Sequence, residues 1–432
     1  TEFETKKENY KANYAPNGAS ILTKTSYTHA EGQYDLNQFK KIAEISIGGS
    51  LRNYKLLSNG SLFNTPNTGI TYKEFGAFIQ AQKSLLNEKL KLTSSLRYDK
   101  NQNFKGSITP RIAMSLKMNR YGYLRASVQS GFRNPTTVDQ YVYLRSGLIT
   151  LLGGAPVNSK GMNVYQNSFT SGSVSQFSSA FNQRVANGDS YQQAINSNLN
   201  LLKKANYNYI QPEKQVAFEI GYKTSLGRNL FIDINSYYSE YTQFIVNANV
   251  VNITSELTDV NGVATYMAAD ELLSGKSNTY QLYTNSNAQV SAYGFSMGLT
   301  YRIKTGFDIT SNITHSKLNA SAINTSLIAP FNTPNYSTNT IISKSNIFKK
   351  IGGAISWHWQ NAFDWYGTFT GNTPGRIKTY SLFDIQFNKK FEKDHFQIKL
   401  GGTNILNTRI AQTYGSPAIG AIYYISFLKG IH

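Results

Sequence analysis

Apolar and polar residues alternate with a period of two along most of this chain. In 293–303 the odd positions read Tyr293, Phe295, Met297, Leu299, Tyr301 and Ile303, and the even ones Gly294, Ser296, Gly298, Thr300 and Arg302. Val216, Phe218, Ile220 and Tyr222 interleave with Ala217, Glu219, Gly221 and Lys223. Shorter copies are Phe396, Ile398, Leu400 and Phe383, Ile385, Phe387, each with polar partners between. A period of two puts alternate side chains on opposite faces of a strand, so each segment predicts a strand with one oily and one wet side. Fifteen such segments are read, near 19–35, 41–57, 71–84, 89–99, 107–118, 121–132, 213–226, 229–246, 288–304, 306–317, 336–346, 351–364, 379–391, 395–407 and 420–428. Many are long for a globular strand but suit a tilted membrane strand.

The connections alternate short and long. LNQFKK, SLLNEK, KMNRYG, SLGRN, RIKTGFD, SNIFKK and FEKDH are turn-like, whereas 58–70, 100–106, 133–212, 247–287, 318–335, 365–378 and 408–419 are the longer partners. Outer-membrane barrels sort their connections this way, with short periplasmic turns and long extracellular loops. On that parity the last strand runs inward and leaves the C-terminus in the periplasm. An odd tally starting from outside implies further strands before residue 1, because single-chain bacterial barrels have even counts.

Composition changes this picture little. The 432 residues include 30 Tyr and 24 Phe among abundant Asn, Ser, Thr and Gly. There is no run of about 18 apolar residues to make a membrane helix, so a membrane reading requires a closed barrel, which satisfies every backbone group in lipid. With no Cys, disulfides and thiolate metal sites are excluded, and five scattered His form no metal site. The N-terminal TEFETKKENYKANYAP has no apolar core and is not a signal peptide. A net charge of +19 suits a solubilising or lipopolysaccharide-facing surface first, and attraction of an anionic ligand or partner second.

Candidate chemistry is sparse. The adjacent Asp270 and Glu271 lie in a loop with no nearby His. GFSMG at 294–298 matches the nucleophile-elbow spelling but sits inside an alternating strand, where the elbow needs a strand-to-helix turn. No phosphate-binding loop, zinc motif or calcium loop appears, no catalytic residue, metal ligand or cofactor is assigned, and no nucleic-acid partner is expected. Trp357 and Trp359 alternate with Ser356, His358 and Gln360; they are read as an aromatic girdle ahead of a sugar-stacking pair, which turns His358 to the wet side. Ligand contact is expected instead from the long loops: Trp365, Tyr366, Phe369 and Arg376 combine stacking planes with a bidentate donor, and Arg133, Tyr141, Tyr143 and Tyr414 join them. Simple loop packing is an equal alternative. Connection 133–212, with a short helix expected at 190–205, is read as a lid, the rival readings being a passive cover or a partner-docking surface.

Four stretches resemble the TonB-dependent outer-membrane receptors of the Bacteroidota type: SSLRYDKNQNFKGSITPRIA (94–113), SVQSGFRNPTTVDQY (127–141), QPEKQVAFEIGYK (211–223) and KLGGTNILNTR (399–409), in the family's order. The resemblance implies an all-β fold, a transmembrane antiparallel barrel of the 22-stranded type, of which about 15 strands lie here without the plug domain. It implies active import, with a ligand bound by loops and by lumen-lining Arg125, Gln129, Glu219, Lys223, Arg302, His358 and Gln386. Implied partners are outer-membrane lipid and lipopolysaccharide, the TonB–ExbB–ExbD complex acting through the plug, and a surface lipoprotein or other envelope partner. A structural or docking barrel in an envelope or secretion assembly is the alternative, a passive porin a weaker third. The substrate is not legible.

Overall fold

The computed structural model describes residues 23–430 except 40, 59–60, 64–68, 324–326, 330, 349, 368–373, 392–394 and 415, together with 2, 4–6 and 9. Fifteen strands form one antiparallel sheet in chain order, each paired with the next. They are β1 Lys24–Asp35, β2 Glu44–Leu57, β3 Ile70–Leu85, β4 Leu90–Asn101, β5 Ser107–Lys117, β6 Gly122–Arg133, β7 Glu213–Leu226, β8 Leu230–Thr242, β9 Val290–Arg302, β10 Phe307–Asn319, β11 Tyr336–Phe348, β12 Ile351–Gln360, β13 Tyr380–Phe391, β14 Phe396–Thr403 and β15 Ile422–Lys429. Each corresponds to one segment of the alternation, and the predicted parity of the connections holds throughout. Among the described residues the sheet has two edges, β1 and β15, whose residues are exposed along their whole length.

Register sorts the chemistry by face. One face carries Phe75, Ile79, Leu96, Ile112, Val128, Phe218, Ile220, Tyr238, Tyr293 and Phe295, bared rather than buried, together with the partly buried Trp357 and Trp359. The opposite face carries every strand arginine: Arg52, Arg97, Arg111, Arg125, Arg133 and Arg302. Its carboxylates include Glu74, Asp99, Glu213, Glu219, Asp233, Asp308 and Asp384. An exposed apolar face backed by a charged one is inverted relative to a soluble protein and correct for a wall between lipid and water.

Two strand ends are set by backbone breaks that alternation does not report. The segment read as 229–246 stops at Thr242 because Gln243 adopts a left-handed conformation (φ 55°). Likewise 395–407 stops at Thr403, where Asn404 has φ 50° and its amide donates to the Thr408 carbonyl at 2.9 Å. Segment 351–364 also divides: β12 ends at Gln360, and Phe363–Trp365 forms a separate ribbon with Gly375–Ile377.

The two longest connections are not irregular loops. They interlock into a folded cap on the long-loop end of the sheet. Ile245–Asn252 pairs antiparallel with Asn278–Asn285, which pairs in parallel with Ile149–Leu152, itself hairpinned to Tyr143–Ser146; Ser168–Thr170 and Leu327–Ile328 add to Ile245–Asn252. Four helices complete it: α1 Thr137–Tyr141, α2 Ser171–Ala186, α3 Tyr191–Asn196 and α4 Tyr266–Leu273. Ser190 and Gln193 form a capping box that opens α3, which is shorter than the helix expected over 190–205. Phe169, Phe177, Ile195, Leu257 and Ala268 lie in one buried cluster, so 133–212 and 243–289 share a core and neither stands alone.

Candidate functional site

The polar face of the sheet and the cap above it meet in the region where a ligand can be held. Along the face, β6, β7 and β8 carry Arg125, Glu219 and Asp233 on neighbouring strands because their registers align. Arg125 Nη2 lies 2.5 Å from Asp233 Oδ1, and Gln129 donates to Glu219 at 3.5 Å. Lys223 Nζ sits 5.0 Å over the Phe231 ring. Farther round, Arg302 pairs with Asp308 at 2.8 Å, His358 Nδ1 lies 2.6 Å from Asn339 Oδ1, and Gln386 accepts from the Tyr424 hydroxyl at 3.0 Å. All seven residues expected to line the wet side therefore share one face by register, with Trp357 and Trp359 on the other.

A hollow of about 280 Å³ opens on this face where small side chains, Thr93, Ala113, Ser115 and Ser127, lie between longer ones. Lys91, Arg111, Arg125 and Glu219 rim it. Lys91 and Arg111 were not singled out by the sequence reading, since single basic residues in alternating strands carry no signal until the register brings three together. A second hollow of about 290 Å³ lies between Arg52, Glu74, Asp99, Asn101 and Asn134. Glu74 is its hub, accepting from Asn101 at 2.8 Å, Asn134 at 3.1 Å and Tyr54 at 3.2 Å. Tyr27, Tyr54, Tyr72 and Tyr141 make a ladder of rings with centroids 5.1, 4.6 and 6.2 Å apart, leading from the sheet edge into the cap. Guanidinium, carboxylate, amide and ring faces can bind and orient a polar or anionic solute.

The expected ligand residues divide. Trp365, Tyr366, Arg376 and Tyr414 come together: Arg376 pairs with Asp364 at 2.6 Å across the Phe363–Trp365 ribbon, and Asn332 clamps the Tyr366 backbone at 2.8 and 2.9 Å. The Tyr414 ring lies over Gly375, where a Cβ would come within 2.2 Å of it. Phe369 lies outside the described residues. Arg133 is half exposed and engaged with Glu213 at 3.1 Å; Glu213 also accepts the Ile245 amide at 3.1 Å, so this pair joins β6, β7 and the cap. Tyr141 is 3% exposed, packed with Leu56, Phe63, Tyr72 and Ala155. Burial pushes its hydroxyl above the ordinary phenol range, partly offset by the Asn103 amide beside it. Tyr143 packs partly buried against Leu152 and Val164.

The carboxylates set aside for catalysis have other employment. Glu271 is 6% exposed and accepts from the backbone N–H and hydroxyl of both Thr254 and Ser255, at 2.6–2.9 Å. Burial alone would raise its pKa, but these donors outweigh it and hold the carboxyl below its ordinary value. Asp270 accepts from Tyr191 at 3.0 Å. GFSMG lies mid-strand in β9, as expected.

A family model described as TonB dependent receptor-like, beta-barrel matches residues 3–405. No protein of curated function matches the sequence. Among solved structures, a variant of the ferric enterobactin receptor from Pseudomonas aeruginosa is similar, with a TM-score of 0.61 at 15% identity over 95% of this chain and 55% of that one. The siderophore receptor PirA from Acinetobacter baumannii gives 0.58 at 15% identity over 95% and 55%, and the FrpB iron transporter from Neisseria meningitidis 0.58 at 12% over 96% and 57%. The chain thus spans little more than half the length of the structures it matches.

Proposed function

Because the chain belongs to the TonB dependent receptor-like β-barrel family, we propose that it forms the greater part of the wall and the roof of an outer-membrane importer that is driven through TonB–ExbB–ExbD. The observation carrying this reading is a continuous sheet with a bared apolar face, a charged opposite face and a folded cap confined to one end. The two edges that have no partner among the described residues, and the partial coverage of its structural neighbours, support further strands that close the cylinder, with a plug domain elsewhere in the full protein. On this reading the cap faces outward, the short turns and C-terminus face the periplasm, and the motif wording supports the Bacteroidota branch.

In operation the ligand is held, not transformed. Arg125, Gln129, Glu219, Lys223, Arg302, His358 and Gln386 line the way, with Lys91 and Arg111 adding positive charge at the hollow. Trp365, Tyr366, Arg376 and Tyr414 form an outer contact beside the cap. Positive charge around the hollow favours an anionic ligand, and the names of the structural neighbours make ferric siderophores the first class to assay. Uptake of radiolabelled ferric enterobactin into cells carrying the full-length gene tests this. Uptake lost on removing TonB, and weakened about tenfold when Lys91 and Arg111 are changed to Gln, is expected. Transport unaffected by TonB removal would sink the importer reading, and a stoichiometric partner over the cap in its place would favour the docking barrel.

A further inference from the structure

One junction in the wall is left open. The β4–β5 ladder runs from Leu90–Leu116 to Asp99–Ser107, and the β6–β7 ladder from Gly122–Thr224 to Arg133–Glu213. Between them the β5–β6 ladder begins at Lys117–Tyr123 and stops at Arg111–Gln129. Residues 107–110 and 130–133 stay extended, each held on its outer side but unpaired with one another toward the cap. Elsewhere in the sheet, the bulge between β11 and β12 apart, a ladder runs until one of its strands is within a residue of its end. Pro110 stands where the parting starts, and the ladder to β4 runs on through it while the one to β6 does not. Proline has no N–H to give, and in sheets it belongs to edges and bulges.

A hollow of about 350 Å³ lies in this seam. Ile108, Phe132 and Val216 line it from the apolar face, Thr109, Gly131 and Gln215 from the polar one. Gly131 leaves room, since a Cβ there would meet nothing nearer than the Gln215 side-chain oxygen at 3.8 Å. The Ser130 hydroxyl is buried with no hydrogen-bond partner among the described residues. Parted strands at membrane depth are tolerated where they line a wet cavity. Two residues along β5 from Thr109 is Arg111, on the rim of the basic hollow with Lys91 and Arg125. Apolar on one side and cationic just beyond the other, the seam matches a molecule with a hydrocarbon tail and an acidic head.

We propose that the seam is a side port that holds a single-chain anionic amphiphile. Its acyl chain leaves the wall between Ile108, Phe132 and Val216, and its acidic head reaches the hollow rimmed by Lys91, Arg111 and Arg125. The assignment rests on the membrane placement and the anionic preference proposed above, not on TonB-driven import, so it stands or falls separately from transport. A complete β5–β6 ladder would close this path, because paired strands leave no room for a chain between them. The interruption therefore joins a charged hollow to the lipid-facing side, which a solute without a tail would not need.

Photolabelling of the full-length protein in phosphatidylcholine nanodiscs tests the port, with palmitate carrying a diazirine near its methyl end as the probe. Label mapped by peptide mass spectrometry should concentrate on Ile108, Phe132 and Val216 over Ile79 and Leu96 on the same apolar face. That excess should fall about fivefold or more in Gly131→Leu and in Ser130→Leu, which fill the seam from its two faces. It should fall about tenfold in K91Q/R111Q, and the palmityl alcohol bearing the same diazirine should not concentrate there. Ala81→Leu, at a small residue of the apolar face in a fully paired stretch, should label as the parent does. Heat-dependent gel mobility confirms that each variant is folded, and the two filling variants give independent readings. Label spread evenly over the apolar face, seam labelling unmoved by either filling variant, or equal labelling by the alcohol overturns the proposal.

Discussion

Glu271 and Gly294 show how little a residue type says before its surroundings are known. The Asp270–Glu271 pair reads as loop charge in sequence, yet both residues lie within α4, where Glu271 accepts four hydrogen bonds from Thr254 and Ser255. Truncating it to Ala leaves those donors unpaired and should cost the cap about 1–3 kcal/mol, read as lost amide-exchange protection over 254–274. Since its folded pKa is depressed below 4.5, its contribution is intact above the unfolded value and vanishes as pH falls through the folded one. Protection of the same segment should therefore fall on acidification below pH 4.5 in the parent and lose that dependence in Glu271→Gln. Gly294 opens a nucleophile-like spelling, but its use is steric: a Cβ there would lie 2.2 Å from the His315 carbonyl oxygen and 2.8 Å from the Tyr237 ring. Gly294→Ala should lower the stability of the sheet by about 1–3 kcal/mol in urea titrations in lipid vesicles.

At the scale of elements, strands were legible and the cap was not. Alternation is a local property of a strand that faces two solvents, so β1–β15 could be read one at a time. The cap strands are short and draw their partners from distant parts of the chain: Thr279–Leu282 pairs with Ile149–Leu152, about 130 residues earlier. In α2, Val174, Phe177 and Phe181 do keep helical spacing, but Ser and Gly around them mask it. That apolar stripe now predicts behaviour. Phe177 is fully buried between α3, α4 and the cap sheet, so Phe177→Ala should cost about 3–5 kcal/mol, seen as faster amide exchange throughout 168–205. Exchange in β3–β7 should stay unchanged, because the shared core belongs to the cap and the sheet is held by its own ladder. A fall in both would mean that the two fold as one cooperative unit.

For the molecule as a whole, the decisive feature is which face is bare. Phe218 and Ile220 are 51% and 55% exposed on the side away from Glu219 and Arg125, an arrangement that water penalises by roughly 25 cal/mol for each Å² of apolar surface left uncovered. The purified full-length protein is expected to be monodisperse only with detergent or lipid, and to migrate faster on gels unheated than boiled. A soluble, monodisperse preparation in plain buffer would falsify the membrane assignment. Arginine–carboxylate pairs on the other face, at Arg52, Arg97, Arg125, Arg133 and Arg302, complete the same polarity, and it is this segregation, not the net charge of +19, that distinguishes the two surfaces.

The amino-acid sequence by itself determined fifteen strands, which face of each is oily, the order of the connections and the family, because these depend only on period two, on turn residues and on short motifs. Tertiary structure alone decided that Lys91, Arg111 and Arg125 surround one hollow, that Arg133 and Tyr141 support the cap, and that two long connections share a core. Those outcomes depend on register and on contacts between residues tens to hundreds of positions apart. No local pattern encodes such distances.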